Sequence, residues 1–235
     1  MGKIDDIQAY KEWTEYHRSL KRDKAADNLS PVERKKKLEK LEANVIEWIL
    51  FFFSEFAKYP FTKFHKKAIK RITTNMEWYE VLSWSRELAK STIVFMCMMY
   101  LVLTGKKRNV LLISNSHENA VRLLEPYKKA FESNSMLKAY YGDLREFGSW
   151  TADEFTLTTG ATFRAVGALE SPRGTRKDAV RPDTALVDDF DTDADCRNPD
   201  ILKKKWEWFE EALFPTRSIS EDLLVIFCGN LIALD

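Results

Sequence analysis

The chain has 235 residues, a formal net charge of +1 and 45% hydrophobic content. That is enough apolar material for one sizeable core, and the balanced charge excludes a uniformly basic coat while leaving room for a local basic face. The two longest apolar runs, 45–53 and 93–103, fall short of the roughly 18–20 residues a membrane-spanning helix needs, and the first contains Glu47.

A soluble protein without a secretory signal is expected, because the amino terminus is polar and charged. Cys97, Cys196 and Cys228 have neither metal-ligand spacing nor a pairing pattern, which fits a reducing, cytosolic compartment. His17 and His117 have no companions that suggest a metal site.

Residues 1–58 read as a charged helical arm. Ser30, Pro31 and Glu33 supply a helix start: a cap, a first-turn proline and an acid. Arg34, Lys35, Lys36, Lys37 and Lys40 follow, as a solvated face or a nucleic-acid or partner contact. Trp48, Leu50, Phe51, Phe52, Phe53 and Phe56 are too aromatic to stay exposed and should dock the arm on the next domain or on a partner.

Pro60 punctuates the chain, and residues 59–235 read as one α/β core. The expected order is helix 64–72, strand 79–84, helix 91–104 ended by Gly105, strand 109–114 and amphipathic helix 118–132. Strands 154–158 and 161–166 follow around Gly160. A loop covers 167–183, then come strand 184–187, helix 199–213 and strand 223–228. Trp206 and Trp208, with Phe209 and Leu213, are expected in the core. Strands alternating with helices predict a mostly parallel sheet with helices on both faces.

Chemistry concentrates in three places. Ser85-Arg86-Glu87-Leu88-Ala89-Lys90-Ser91-Thr92 lies between a strand and a helix. There, helix-end N–H groups attract phosphate, the lysine reaches the terminal phosphates and the hydroxyl ligates Mg²⁺. The glycine positions of the usual phosphate loop hold Trp84 and Ala89, so a conformation without positive φ is expected at Ala89. Ala185-Leu186-Val187-Asp188-Asp189-Phe190 is a strand delivering two carboxylates. Asp188 would support Mg²⁺, and Asp189 would orient and deprotonate a water. The competing reading is an acidic solvated turn continuing through Asp191, Asp193 and Asp195; a calcium loop lacks its glycine and terminal glutamate spacing. Val225-Ile226-Phe227-Cys228-Gly229-Asn230 ends a strand in small residues suited to sensing a terminal phosphate.

Together these stretches resemble the large terminase subunit of tailed bacteriophages. The segment 85–92 is similar to that family's deviant Walker A. Ser171-Pro172-Arg173-Gly174-Thr175-Arg176, leading through Arg181-Pro182-Asp183 to Asp188-Asp189, is similar to its arginine–glycine loop and Walker B. Phe227-Cys228-Gly229-Asn230 is similar to its coupling motif. The resemblance covers about residues 60–232. It implies a phosphate-loop (P-loop) NTPase of the additional-strand class: an ATP- and Mg²⁺-dependent motor that drives double-stranded DNA through a portal protein into a capsid.

It further implies a small terminase subunit as partner, a homo-oligomeric ring on the portal from subunits that are monomers in solution, and the host cytoplasm as location. Lys90 would bind the β- and γ-phosphates, Ser91 and Asp188 the metal, and Arg86 would sit over the phosphates. Asp189 would be the catalytic carboxylate, although many relatives carry glutamate there, and Cys228, Gly229 and Asn230 would couple hydrolysis to movement. Arg173, Arg176 and Arg217 are candidates for an arginine supplied to a neighbouring subunit. Phe64 and His65 are candidates for the adenine contact. Relatives add a carboxyl-terminal nuclease domain; with the sequence ending at Asp235, nuclease activity is not expected. The alternatives are a helicase-like DNA-dependent ATPase, a non-catalytic DNA-binding or assembly module, and a structural adaptor built on the aromatic arm.

Overall fold

The computed structural model describes residues 29–57, 59–85, 87–171, 181–218 and 220–229. Helices α1 (Pro31–Glu42), α2 (Val45–Phe52) and α3 (Lys63–Thr74) lead into β1 (Trp78–Leu82) and α4 (Lys90–Leu103). There follow β2 (Asn109–Ser114), α5 (His117–Ser133), α6 (Ser135–Tyr141), β3 (Arg145–Trp150), β4 (Glu154–Leu157) and β5 (Thr162–Gly167). The chain continues through β6 (Thr184–Asp188), α7 (Asp193–Cys196), α8 (Pro199–Glu207), a π-helical turn (Trp208–Leu213) and a 3₁₀ turn (Phe214–Thr216) to β7 (Leu224–Cys228).

The seven strands form one sheet in the order β1-β7-β6-β2-β5-β4-β3. Strands β1, β7, β6, β2 and β5 are mutually parallel. The β4–β5 hairpin turns at Gly160, where φ is +80°, and β4 and β3 are antiparallel to their neighbours. The expectation of a mixed α/β fold with a mostly parallel sheet is met.

Alternation along the strands divides the core in two. Val110 and Leu112 point to one face and join Leu82, Leu186 and Ile226 beneath α2, α3, α4 and α5. Leu111 and Ile113 point to the other, with Val187 and Val225, against Phe209 and Leu213. Helix α4 is buried along nearly its whole length, from Ile93 to Val102, so it has no polar face and runs through the core. Helix α2 packs on it. Trp48 is fully buried against Tyr100, with ring centroids 5.4 Å apart, and Phe53 meets Phe95 at 5.3 Å. The Trp48 indole donates to Tyr141 Oη at 2.8 Å, and that hydroxyl donates to Glu42 Oε1 at 2.8 Å.

Two helical expectations need correction. The helix expected over 199–213 is α-helical only to Glu207, after which a π turn carries Phe209 and Leu213 onto the sheet. Trp206 is not core: it stands 49% exposed at the rim, against Phe227. Helix α6 and strand β3 were not anticipated. Most of β3 is exposed and carries no alternation to read. Among the described residues, no helix is long and apolar enough to cross a membrane.

Candidate functional site

The parallel strands β1, β6 and β7 end in register, with Leu82 beside Cys228 and Cys228 beside Asp188. The loop after β1 therefore meets the acids after β6 at one edge of the sheet. A cavity of about 540 Å³ opens there, lined by Ser85, Glu87, Ala89, Lys90, Ser91, Thr92, Asp188 and Asp189.

Ser91 Oγ donates to Asp188 Oδ2 at 2.6 Å across 97 residues of sequence. Lys90 is the first residue of α4. It is only 8% exposed, and its ammonium donates to the Trp84 carbonyl at 2.5 Å. Burial raises the Asp188 pKa above its ordinary 3.8; the Ser91 bond works against this and the neighbouring Asp189 charge adds to it. A desolvated carboxylate beside a second carboxylate is a site that favours a cation.

The expectation at Ala89 is overturned. It adopts φ +58°, ψ +30°, and Glu87 also lies at φ +71°. Alanine can occupy this left-handed well at a cost, and the loop has to curl to deliver Lys90 and Ser91 into the cavity. Asp189 is held at φ +46°. Its carbonyl accepts from the Asn115 backbone N–H at 3.2 Å and from Asn115 Nδ2 at 3.0 Å. Asn115 follows β2 and had no sequence signal, since a lone asparagine after a strand reads as a turn residue.

His65 braces the loop from outside. Its Nδ1 accepts from the Thr62 N–H at 3.3 Å, which leaves Nε2 carrying the proton and donating to the Leu88 carbonyl at 3.2 Å. Burial lowers its pKa and keeps this neutral form populated. Its ring lies 5.4 Å from Trp84, with Phe64 4.9 Å from the same indole. Phe64 and His65, the candidates for an adenine contact, thus lie against the loop at Trp84 and Leu88. Leu88 itself stays outside the cavity lining.

The acidic run beyond Asp189 is not simply solvated. Lys205, 4% exposed, donates to the Phe190 carbonyl and to Asp195 Oδ2, each at 2.6 Å, and stands 3.6 Å from Asp191 Oδ1. Helix α8 thereby pins the segment that follows the two candidate acids. A lysine in an amphipathic helix gives no hint of this in sequence.

Cys228 is buried between the strand ends, and burial pushes its thiol upward. The Gly229 N–H bonds the Leu82 carbonyl at 3.2 Å, tying β7 to the start of the loop. Arg86, Arg173, Arg176 and Asn230 lie outside the described residues. Arg217 lies away from the cavity, 3.3 Å from Glu77 just before β1, with its guanidinium over Phe214.

A larger groove, about 1090 Å³, runs between Phe53, Phe56 and Phe95 and the outer side of α5. It is apolar with scattered charges and brings no set of reactive groups together, so the smaller cavity is the candidate site. Among the described residues, no cluster of three or more His, Cys, Asp or Glu is placed to hold a metal ion. Mg²⁺ in nucleotide sites is commonly held by one or two carboxylates and substrate phosphates, and the Ser91–Asp188 oxygens are donors of that kind.

The fold is similar to that of a phage large terminase. The crystal structure of the HK97 bacteriophage large terminase matches 80% of this chain and 38% of its own, with a TM-score of 0.50 and 14% identity. The chain therefore spans little more than a third of that protein, and at this identity the likeness is one of fold. No protein-family model matches the sequence, and no curated protein does.

Proposed function

We propose that this chain is the ATP-hydrolysing motor domain of a viral DNA-packaging terminase, with a phosphate-loop nucleotide site, acting on double-stranded DNA. The observation that carries this reading is the convergence of Lys90, Ser91, Asp188 and Asp189 on one cavity at the carboxyl ends of parallel strands. The terminase-like fold supports it. The portal protein and a small terminase subunit are the partners this reading implies.

In this reading the Lys90 ammonium exchanges the Trp84 carbonyl for the β- and γ-phosphates of ATP. The Ser91 hydroxyl and Asp188 would hold Mg²⁺, which would neutralise charge on the phosphates. Asp189 accepts a proton from the attacking water at its carboxylate, and Asn115 keeps that carboxylate's backbone in place. Arg86 takes the loop-arginine role, and Cys228, Gly229 and Asn230 pass the state of the site along β7. An arginine from a neighbouring subunit supplies about 10³–10⁵ in rate in comparable enzymes, so isolated turnover should be slow.

The test is phosphate release from ATP and Mg²⁺, alongside binding of a fluorescent nucleotide. Lys90→Ala should reduce release to background. Asp189→Asn should keep nucleotide binding and lose turnover. Release at the wild-type rate in both variants would overturn the assignment.

A further inference from the structure

Helix α3 carries four lysines, Lys63, Lys66, Lys67 and Lys70, at i, i+3, i+4 and i+7. All four are exposed, whereas Ala68, Ile69, Ile72 and Thr73 face the core. The spacing puts the lysines on one outer face, about 10 Å long at 1.5 Å per residue.

The helix itself does not compensate this charge. The helix has no acid in its first turn, and its lysines begin at the first helical residue, where the positive end of the helix dipole disfavours cations. Like charges three and four apart repel. Among the described residues, none of the four ammonium groups makes an ion pair or a side-chain hydrogen bond. The nearby carboxylate of Glu80 is buried and taken by Arg71 and the Trp78 indole. Helices α5 and α8 are built differently: α5 pairs Glu118 with Arg122 and α8 pairs Lys203 with Glu207. A local rule broken without a structural gain marks a surface shaped by something outside the chain.

The same helix touches the nucleotide loop. His65, between Lys63 and Lys66, bonds the Leu88 carbonyl and packs on Trp84, whose own carbonyl holds Lys90. We infer that the lysine face of α3 is a docking surface for the phosphate backbone of duplex DNA, coupled through His65 to the loop that positions Lys90. This rests on the ATPase reading above for its coupling, but not for its binding. Duplex DNA carries one charge per roughly 1.7 Å of axis, so about 10 Å presents enough phosphates to engage all four lysines.

The experiment measures binding of the full chain to a short duplex DNA across a salt series, and duplex-stimulated phosphate release. The variant K63Q/K66Q/K67Q/K70Q removes the charge and keeps good helix formers. Its logarithmic salt slope should become shallower by about 0.9 per lysine engaged, roughly 3–4 in all. Stimulation by DNA should vanish with basal release unchanged, and the all-arginine counterpart should behave as wild type. An unchanged slope in the glutamine variant, or loss of binding in the arginine variant, overturns the proposal. So does equal affinity for single-stranded DNA. If the wild type releases no phosphate yet the slope falls as stated, the ATPase reading fails and the docking surface stands.

Discussion

Asp188 is where the site's energetics are most exposed to measurement. Its folded pKa is raised by burial and by Asp189, so the stability it lends is present in acid and is lost as pH rises through the folded value. Above the ordinary carboxylate range this raised pKa is a cost to the ligand-free fold. Asp188→Asn, which can still accept from Ser91, should therefore melt higher than wild type at neutral pH, with the gain shrinking as pH falls toward the ordinary carboxylate range. Thermal melts at several pH values check the sign; a variant that melts lower at neutral pH would contradict it. Ala89 carries a different cost, that of a left-handed backbone on an L-residue. Ala89→Gly should stabilise by about 1 kcal/mol, the relief of roughly 1–2 less the extra chain entropy of glycine. Denaturant unfolding measures this, and no gain would mean the loop relaxes once alanine is gone.

At the scale of elements, Lys107 decides how three strands begin. It is 2% exposed, and its ammonium donates to the carbonyls of Met76, Asp183 and Asp222 at 2.8–3.0 Å. These residues precede β1, β6 and β7, the strands whose far ends build the site. Burial lowers the lysine's pKa, opposed by the nearby acids. Lys107→Met keeps the bulk and leaves three carbonyls without a donor, at about 1–3 kcal/mol for each one kept from water. Unfolding by urea should show a loss of several kcal/mol. Such a tie is invisible in sequence, where Lys107 sits among Lys106 and Arg108 as one more charge after Gly105. By contrast β2 was legible to the residue, because Asn109 and Ser114 bracket an unbroken apolar run. Strand β3 was not, since it pairs only at its ends and buries little.

For the whole molecule, the aromatic stretch around α2 is part of the core itself. Trp48, Phe52 and Phe53 are buried in the same cluster as α4 and the sheet. A chain beginning at residue 59 would uncover Phe95 and Tyr100, and deleting a buried aromatic side chain such as Trp48 or Phe53 costs about 3–5 kcal/mol. It should be insoluble or molten, whereas the full chain should unfold in a single transition; a soluble, cooperatively melting truncation would show that the core stands alone. What the sequence determined by itself was periodic or local. Apolar alternation and helical spacing set the α/β order, and Lys-Ser-Thr after one strand with Asp-Asp after another marked the candidate chemistry. What only tertiary structure decided was long-range and polar. The 2.6 Å bond between Ser91 and Asp188, the Asn115 clamp on Asp189, and the buried lysines at 107 and 205 depend on which strand ends lie side by side. Burying apolar surface is favourable wherever it occurs, so it leaves a pattern along the chain. A hydrogen bond or ion pair gains its strength from one partner at one distance, and that partner is chosen by the fold.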